Sequence, residues 1–155
     1  MKCLGMDLGT KTLGLAISDK LGIIANPYKT LKYDNIDSLI NEVLEIIETE
    51  HIETLVLGYP KNMDNSLGSA VERTESFKSL LEEKTDLPIE LIDERLSTVE
   101  AENILISSDV SRKGRKEVID SVAASIILDT YLRRIERWIL WILKMQNLLW
   151  KMKMG

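Results

Sequence analysis

Three acidic positions occur where a lone carboxylate is costly. Asp7 lies inside the apolar run "CLGMDL". Asp93 and Glu94 directly follow "PIELI". Asp120 shares a helical face with Ala123, Ala124 and Ile127, at spacings i+3, i+4 and i+7. Burying one unpaired charge costs several kcal/mol, so each acid calls for a partner. Parallel strands of one sheet end at a common edge, and α/β sheets bind ligands at that carboxyl edge. Asp7, Asp93 or Glu94, and Asp120 are expected to converge there. Neighbours in an extended segment face opposite ways, so one of the Asp93–Glu94 pair points inward; Asp93 is preferred. Clustered carboxylates repel unless cations hold them, and oxygen-only donors suit Mg²⁺ or Mn²⁺. Two such ions about 3.5–4 Å apart stabilise both the attacking and the leaving oxygen in phosphodiester cleavage.

Donors and cations flank these acids. Gly9 and Thr10 follow Asp7 and open the backbone to a phosphodiester, with Lys11 beside them. The loop "GYPKNMDNSLGS" offers amide and hydroxyl donors, Asn62 and Ser66 among them, for phosphate oxygens or ribose hydroxyls. Lys61, Arg73 and Arg95 are candidate phosphate contacts. "SRKGRK" packs Arg112, Lys113, Arg115 and Lys116 next to Asp120, as a basic loop that orders over nucleic acid. Each group also has a plainer reading. Asp7 would close a strand end, and Asp93–Glu94 would begin a solvated turn. Asp120 would be a first-turn acid favoured by the helix dipole, worth about 0.3–1 kcal/mol. The 58–69 loop would lead into a helix capped by Asn65 or Ser66. His51, the one histidine, reads as a helix-end residue.

The elements that must position these groups follow from periodicity. "KCLGMDLG" and "TLGLAISD" form a hairpin around "TK", and "GIIANPYKTL" adds a third strand weakened by Pro27. "NIDSLINEVLEIIETEH" is an amphipathic helix capped by Asp34 or Asn35. "TLVLG" is a buried strand. A second helix sets Val71, Thr74, Phe77, Leu80 and Leu81 on one face. "LPIELID" is a strand, and "STVEAENILISS" opens with a capping box at Ser97 and Glu100. "EVIDSVAASIILDTYLRRI" is the last main helix. The order β-β-β-α-β-α-β-α-α implies an α/β fold with a mixed sheet flanked by helices.

Composition sets the class. The chain has 155 residues, 45% apolar and 29% charged, enough for one soluble domain with its own core. A single cysteine, Cys3, forms no internal disulfide, which fits a reducing, cytoplasmic setting. The N-terminus does not resemble a signal peptide. The net charge of −5 is uneven: residues 133–155 carry +5 and the remainder −10. An acidic body disfavours nonspecific coating of nucleic acid but leaves room for a local site bridged by metal ions.

The segments "MDLGTKTLGLAISD", "LVLGYPKNMDNSLG", "LIDERLST" and "RKGRKEVIDSVAASIIL" resemble, in order, the four motifs of the YqgF (RuvX) family. The resemblance covers roughly residues 1–132. It implies an RNase H-like fold, a five-stranded mixed sheet with helices on both faces. It also implies a metal-dependent nuclease whose acids would be Asp7, Asp93, Glu94 and Asp120. The implied role is maturation of the 5′ end of pre-16S rRNA. Resolution of four-way DNA junctions is the alternative, and a scaffold that binds nucleic acid without cutting it is another. A sugar-kinase-like phosphotransferase also opens on "DLGT", but this chain is too short for two such domains.

Residues 133–155, "RRIERWILWILKMQNLLWKMKMG", lie past the resemblance. All three tryptophans are here. Trp138, Trp141, Ile142, Met145, Leu148, Leu149 and Met152 form an apolar stripe that Ile139, Leu143 and Trp150 widen, and Arg137, Lys144 and Lys151 form a narrow basic one. The expected structure is an extension of the last helix that packs against a second copy of the chain. An interfacial membrane helix and an extension with no selected role are the alternatives.

Overall fold

The computed structural model describes residues 1–60, 68–93, 103–104, 106–107 and 112–155, with the backbone alone for 112–117. Five strands form one sheet in the order β3-β2-β1-β4-β5. β1 (Cys3–Leu8) and β2 (Thr12–Ser18) make an antiparallel hairpin, and β3 (Ala25–Lys32) continues the meander as an edge strand. β4 (Thr54–Tyr59) lies parallel to β1, and β5 (Ile89–Asp93) lies parallel to β4. The sheet is thus mixed and five-stranded, as expected.

Local sequence explains the joins. The β1–β2 loop spans residues 9–11, one residue more than the expected "TK", and the Gly9 N–H donates to the Thr12 carbonyl at 2.8 Å. Ala16 pairs with Pro27 while Leu15 pairs with Lys29, so Tyr28 is an extra residue in β3. Such a bulge on an edge strand tolerates proline, which has no N–H to give the ladder. Helix α1 (Ile36–Thr49) starts at Asn35, whose side chain accepts from the N–H groups of Asp37 and Ser38. It ends with His51 at φ 55°, while the Ile52 N–H donates to Ile47 at 3.0 Å. This is a left-handed helix stop, and His51 sits at it.

Helix α2 (Ser69–Lys84) is capped by Gly68 without a side-chain bond, so neither Asn65 nor Ser66 holds the cap position. Helix α3 (Arg112–Met154) runs unbroken for 43 residues, about 65 Å. Its backbone already includes residues 112–116, which the sequence suggests as a loop. Arg and Lys are good helix formers. One glycine costs about 1 kcal/mol, which a helix propagating from a packed segment absorbs. The predicted helix that begins at Ser97 falls largely outside the described residues; 103–104 and 106–107 are helical.

Strand alternation divides the core. Leu4, Met6, Leu13, Leu15, Leu55 and Leu57 face α1 and α2, where they meet Val43, Phe77 and Leu81. Cys3, Ala16, Val56 and Ile92 face α3, where they meet Ala124, Ile127 and Leu128. The α3 face is lined by small residues on β1 and β2. A Cβ on Gly5 would come within 2.8 Å of the Leu128 Cβ and 3.0 Å of the Ala124 carbonyl oxygen. The helix therefore lies directly on the backbone of the two strands.

A candidate active site at the carboxyl edge of the sheet

Asp7 is the penultimate residue of β1 and half-buried. It shares β1's α3 face with Gly5 and Cys3, two and four residues back. Its cross-strand partner is Gly14. A Cβ on Gly14 would stand 2.1 Å from the Asp120 carbonyl oxygen and 2.9 Å from the Asp120 Cβ. Gly14 thus lets α3 descend until Asp120 lies beside the strand pair that carries Asp7. Gly14, which has no side chain, stands between two acids 113 residues apart in sequence, paired with Asp7 and packed against Asp120.

Thr12 lies two residues before Gly14 on the same face. Its Oγ1 donates to Asp120 Oδ2 at 2.8 Å, which fixes the carboxylate's rotation. Asp120 is the ninth residue of α3, past the first turn to which the helix-dipole effect is confined. Its position is explained by packing at Gly14 rather than by the helix terminus.

Asp93 ends β5 at the same edge and is exposed. Ile92 is buried against α3. Alternation therefore sets Asp93 on the opposite face, with Ile89 and Leu91. β1 and β5 are separated by β4, so their axes stand about 10 Å apart. Asp7 and Asp120 are both placed beside Gly14; Asp93 is brought to their edge, and alternation from the buried Ile92 sets it on the opposite face of the sheet. Among the described residues, no three His, Cys, Asp or Glu side chains form a metal-holding group. Glu94, Lys61, Asn62 and Arg95 lie outside the described residues, as do the side chains of Arg112, Lys113, Arg115 and Lys116.

The loop after Asp7 is held by Tyr33, the residue that follows β3. The Tyr33 hydroxyl donates to the Gly9 carbonyl at 2.5 Å, and the Tyr33 N–H donates to the Lys11 carbonyl at 3.0 Å. Burial pushes the Tyr33 phenol up, while the Arg73 guanidinium pulls the other way. Arg73 thus borders this corner from α2. Thr10 and Lys11 are exposed at the loop tip. Lys11, Thr12, Lys32, Tyr33 and Asp34 line a shallow groove beside it.

Thr12 and Tyr33 are functional candidates that sequence reasoning missed. Alternation does place Thr12 on the face of Gly14 and Ala16. Nothing in the sequence signals that its hydroxyl reaches Asp120, or that Tyr33 reaches back to Gly9.

The RuvX family, described as Holliday junction resolvase, matches residues 1–134. A protein of Geobacillus kaustophilus named "Putative pre-16S rRNA nuclease" is 48% identical over 134 residues, 85% of this chain and 97% of that protein. A protein of the same name from Halothermothrix orenii is 46% identical over 132 residues, 85% of this chain and 94% of its own length. The fold is similar to that of Thermus thermophilus RuvC, solved with a Holliday junction substrate. That likeness has a TM-score of 0.59 at 14% identity, over 88% of this chain and 96% of that one. Fowlpox virus resolvase, solved with Holliday junction DNA, gives a TM-score of 0.57 at 12% identity, over 87% and 99%.

Proposed function

This chain belongs to the RuvX family, and we propose that it is a metal-dependent endonuclease that processes the 5′ end of pre-16S rRNA. The observation that carries this reading is that Gly14 pairs with Asp7 and packs against Asp120, on a sheet edge with an exposed loop beside it.

The donor chemistry fits a hard divalent cation. Both acids offer oxygen only, as Mg²⁺ and Mn²⁺ prefer. Asp7 and Asp120 would hold the metal, with a further acid supplied from the Asp93–Glu94 pair. When bound, such ions supply charge stabilisation at the scissile phosphate and an activated water. The chain's own groups do the rest. Thr12 keeps one Asp120 oxygen fixed, so the carboxylate is oriented before substrate arrives. Tyr33 holds the 9–11 loop, so Gly9, Thr10 and Lys11 present backbone and charge to a phosphodiester. Arg73, and the cations at 61, 95 and 112–116, would position the rest of the backbone through phosphate contacts.

A second reading, resolution of four-way DNA junctions, is favoured by the likeness of the fold to two resolvases solved with such junctions. One assay separates the readings. The full chain is incubated with a pre-16S 5′ leader RNA and with a four-way DNA junction, each with Mg²⁺, Mn²⁺ or EDTA. Metal-dependent cleavage of the RNA alone is expected. Cleavage of the junction alone would move the assignment to resolvase, and binding without cleavage under either metal would overturn the nuclease reading.

A further inference from the structure

Residues 135–155 fall beyond the family match at 1–134, and they differ in kind from the body. α3 carries them past the end of the sheet. Leu132 is still buried at 2% exposure, whereas Trp138, Trp141 and Trp150 are 59%, 54% and 62% exposed. The segment is a single helix about 30 Å long whose first turns still touch the body: Ile135 packs on the core, and Ile139 and Leu140 line a hollow with Met1, Leu21 and Ile23, while the turns after them stand clear.

Its surface pattern has two parts. Arg137, Lys144 and Lys151 recur every seventh residue and form one narrow cationic stripe; from 137 to 155 there is no acid. The remaining arc, more than half the circumference, is predominantly apolar. A two-stranded coiled coil would cover Trp138, Trp141, Met145, Leu148 and Met152, which fall on the a and d positions. It would leave Leu143 and Trp150 on the outer side, and these are 55% and 62% exposed. In an antiparallel pair it would also set one cationic stripe beside another. An amphipathic helix in the plane of a bilayer meets neither problem. Its broad apolar arc sinks to the acyl boundary, its tryptophans sit at the interface, and its cations reach anionic headgroups. Although the body carries −10, residues 133–155 carry +5, so an anionic surface attracts this segment as it attracts the basic residues at 112–116. Among the described residues no helix is long and apolar enough to cross a membrane, so the contact is along the surface.

We propose that residues 135–154 are an interfacial helix that docks the protein on an anionic lipid bilayer. The inference is independent of the nuclease reading. All three tryptophans of the chain lie in this segment, so tryptophan emission reports on it alone. The full chain is titrated with vesicles of phosphatidylglycerol and phosphatidylcholine, and with vesicles of phosphatidylcholine only. A blue shift with co-sedimentation on the anionic vesicles is expected, at least about tenfold tighter than on the zwitterionic ones. R137E/K144E/K151E should lose that preference while keeping its far-ultraviolet circular dichroism. If this variant does not fold, the salt dependence of wild-type binding replaces it, and binding that ignores salt counts against the proposal. Emission unmoved by anionic vesicles overturns it. So does emission already blue-shifted without lipid, rising with protein concentration alongside a dimer mass in light scattering; the occupant is then a second copy.

Discussion

Gly14 lies against the backbone of Asp120, and this contact brings α3's acid to the strand pair that carries Asp7. The glycine is required by space and not by its dihedral angles. G14A would place a methyl 2.1 Å from a backbone carbonyl oxygen, so helix or strand must move. Overpacking of this kind costs about 1–3 kcal/mol and more where backbone is the obstacle. An unfolding free energy lowered by that amount, read from a urea midpoint shifted down at unchanged slope, is the expected outcome. A midpoint equal to wild type would mean that the helix does not rest on the β1–β2 backbone.

The Thr12–Asp120 hydrogen bond predicts a split between two substitutions. T12V keeps the volume and removes the donor; T12S keeps the donor. Loss of such an orienting partner lowers metal affinity by about 10–100-fold. Mn²⁺ titration should show this loss for T12V, and T12S should recover most of it. Equal affinities for both variants would make Thr12 a packing residue.

D7N removes charge and keeps shape. Cleavage should fall by more than about a hundredfold, beyond what an orienting partner alone accounts for. Binding of uncleaved RNA should persist. Normal cleavage by D7N would remove Asp7 from the site.

The face of β5 predicts different outcomes for adjacent acids. Asp93 lies on the side away from α3. D93N should therefore retain more cleavage than E94Q, measured at saturating Mg²⁺. The reverse order would show that the strand end departs from the alternation of Ile92 and Asp93.

The basic residues at the start of α3 predict a change in salt dependence. Alanine at Arg112, Lys113, Arg115 and Lys116 together should reduce the slope of log binding constant against log salt by up to about 3. Thermal stability should change little. An unchanged slope would identify these residues as solvated surface.

Much of the fold follows from local chemistry. The short apolar runs in "KCLGMDLG" and "TLGLAISD" and the helical spacing around Val43 and Phe77 are short-range signals, and they fix the elements and their order. Asn35 caps α1 because an Asx side chain before a helix finds its orphan N–H groups locally. Asp7 and Asp120 stand out as candidates for a similar reason, since an acid on an apolar face is too costly to keep there without a partner or a task. What the tertiary structure decided are the long-range pairings. Thr12 reaching Asp120 spans 108 residues, and Tyr33 reaching Gly9 spans 24. Neither leaves a periodic trace, because each depends on how closely α3 or β3 settles on the hairpin. The side of the sheet on which Asp93 stands was likewise fixed by register: β5 pairs Gly58 with Ile92, and the buried Ile92 turns its neighbour outward. A one-residue slip would have reversed that outcome at almost no cost to the local pattern.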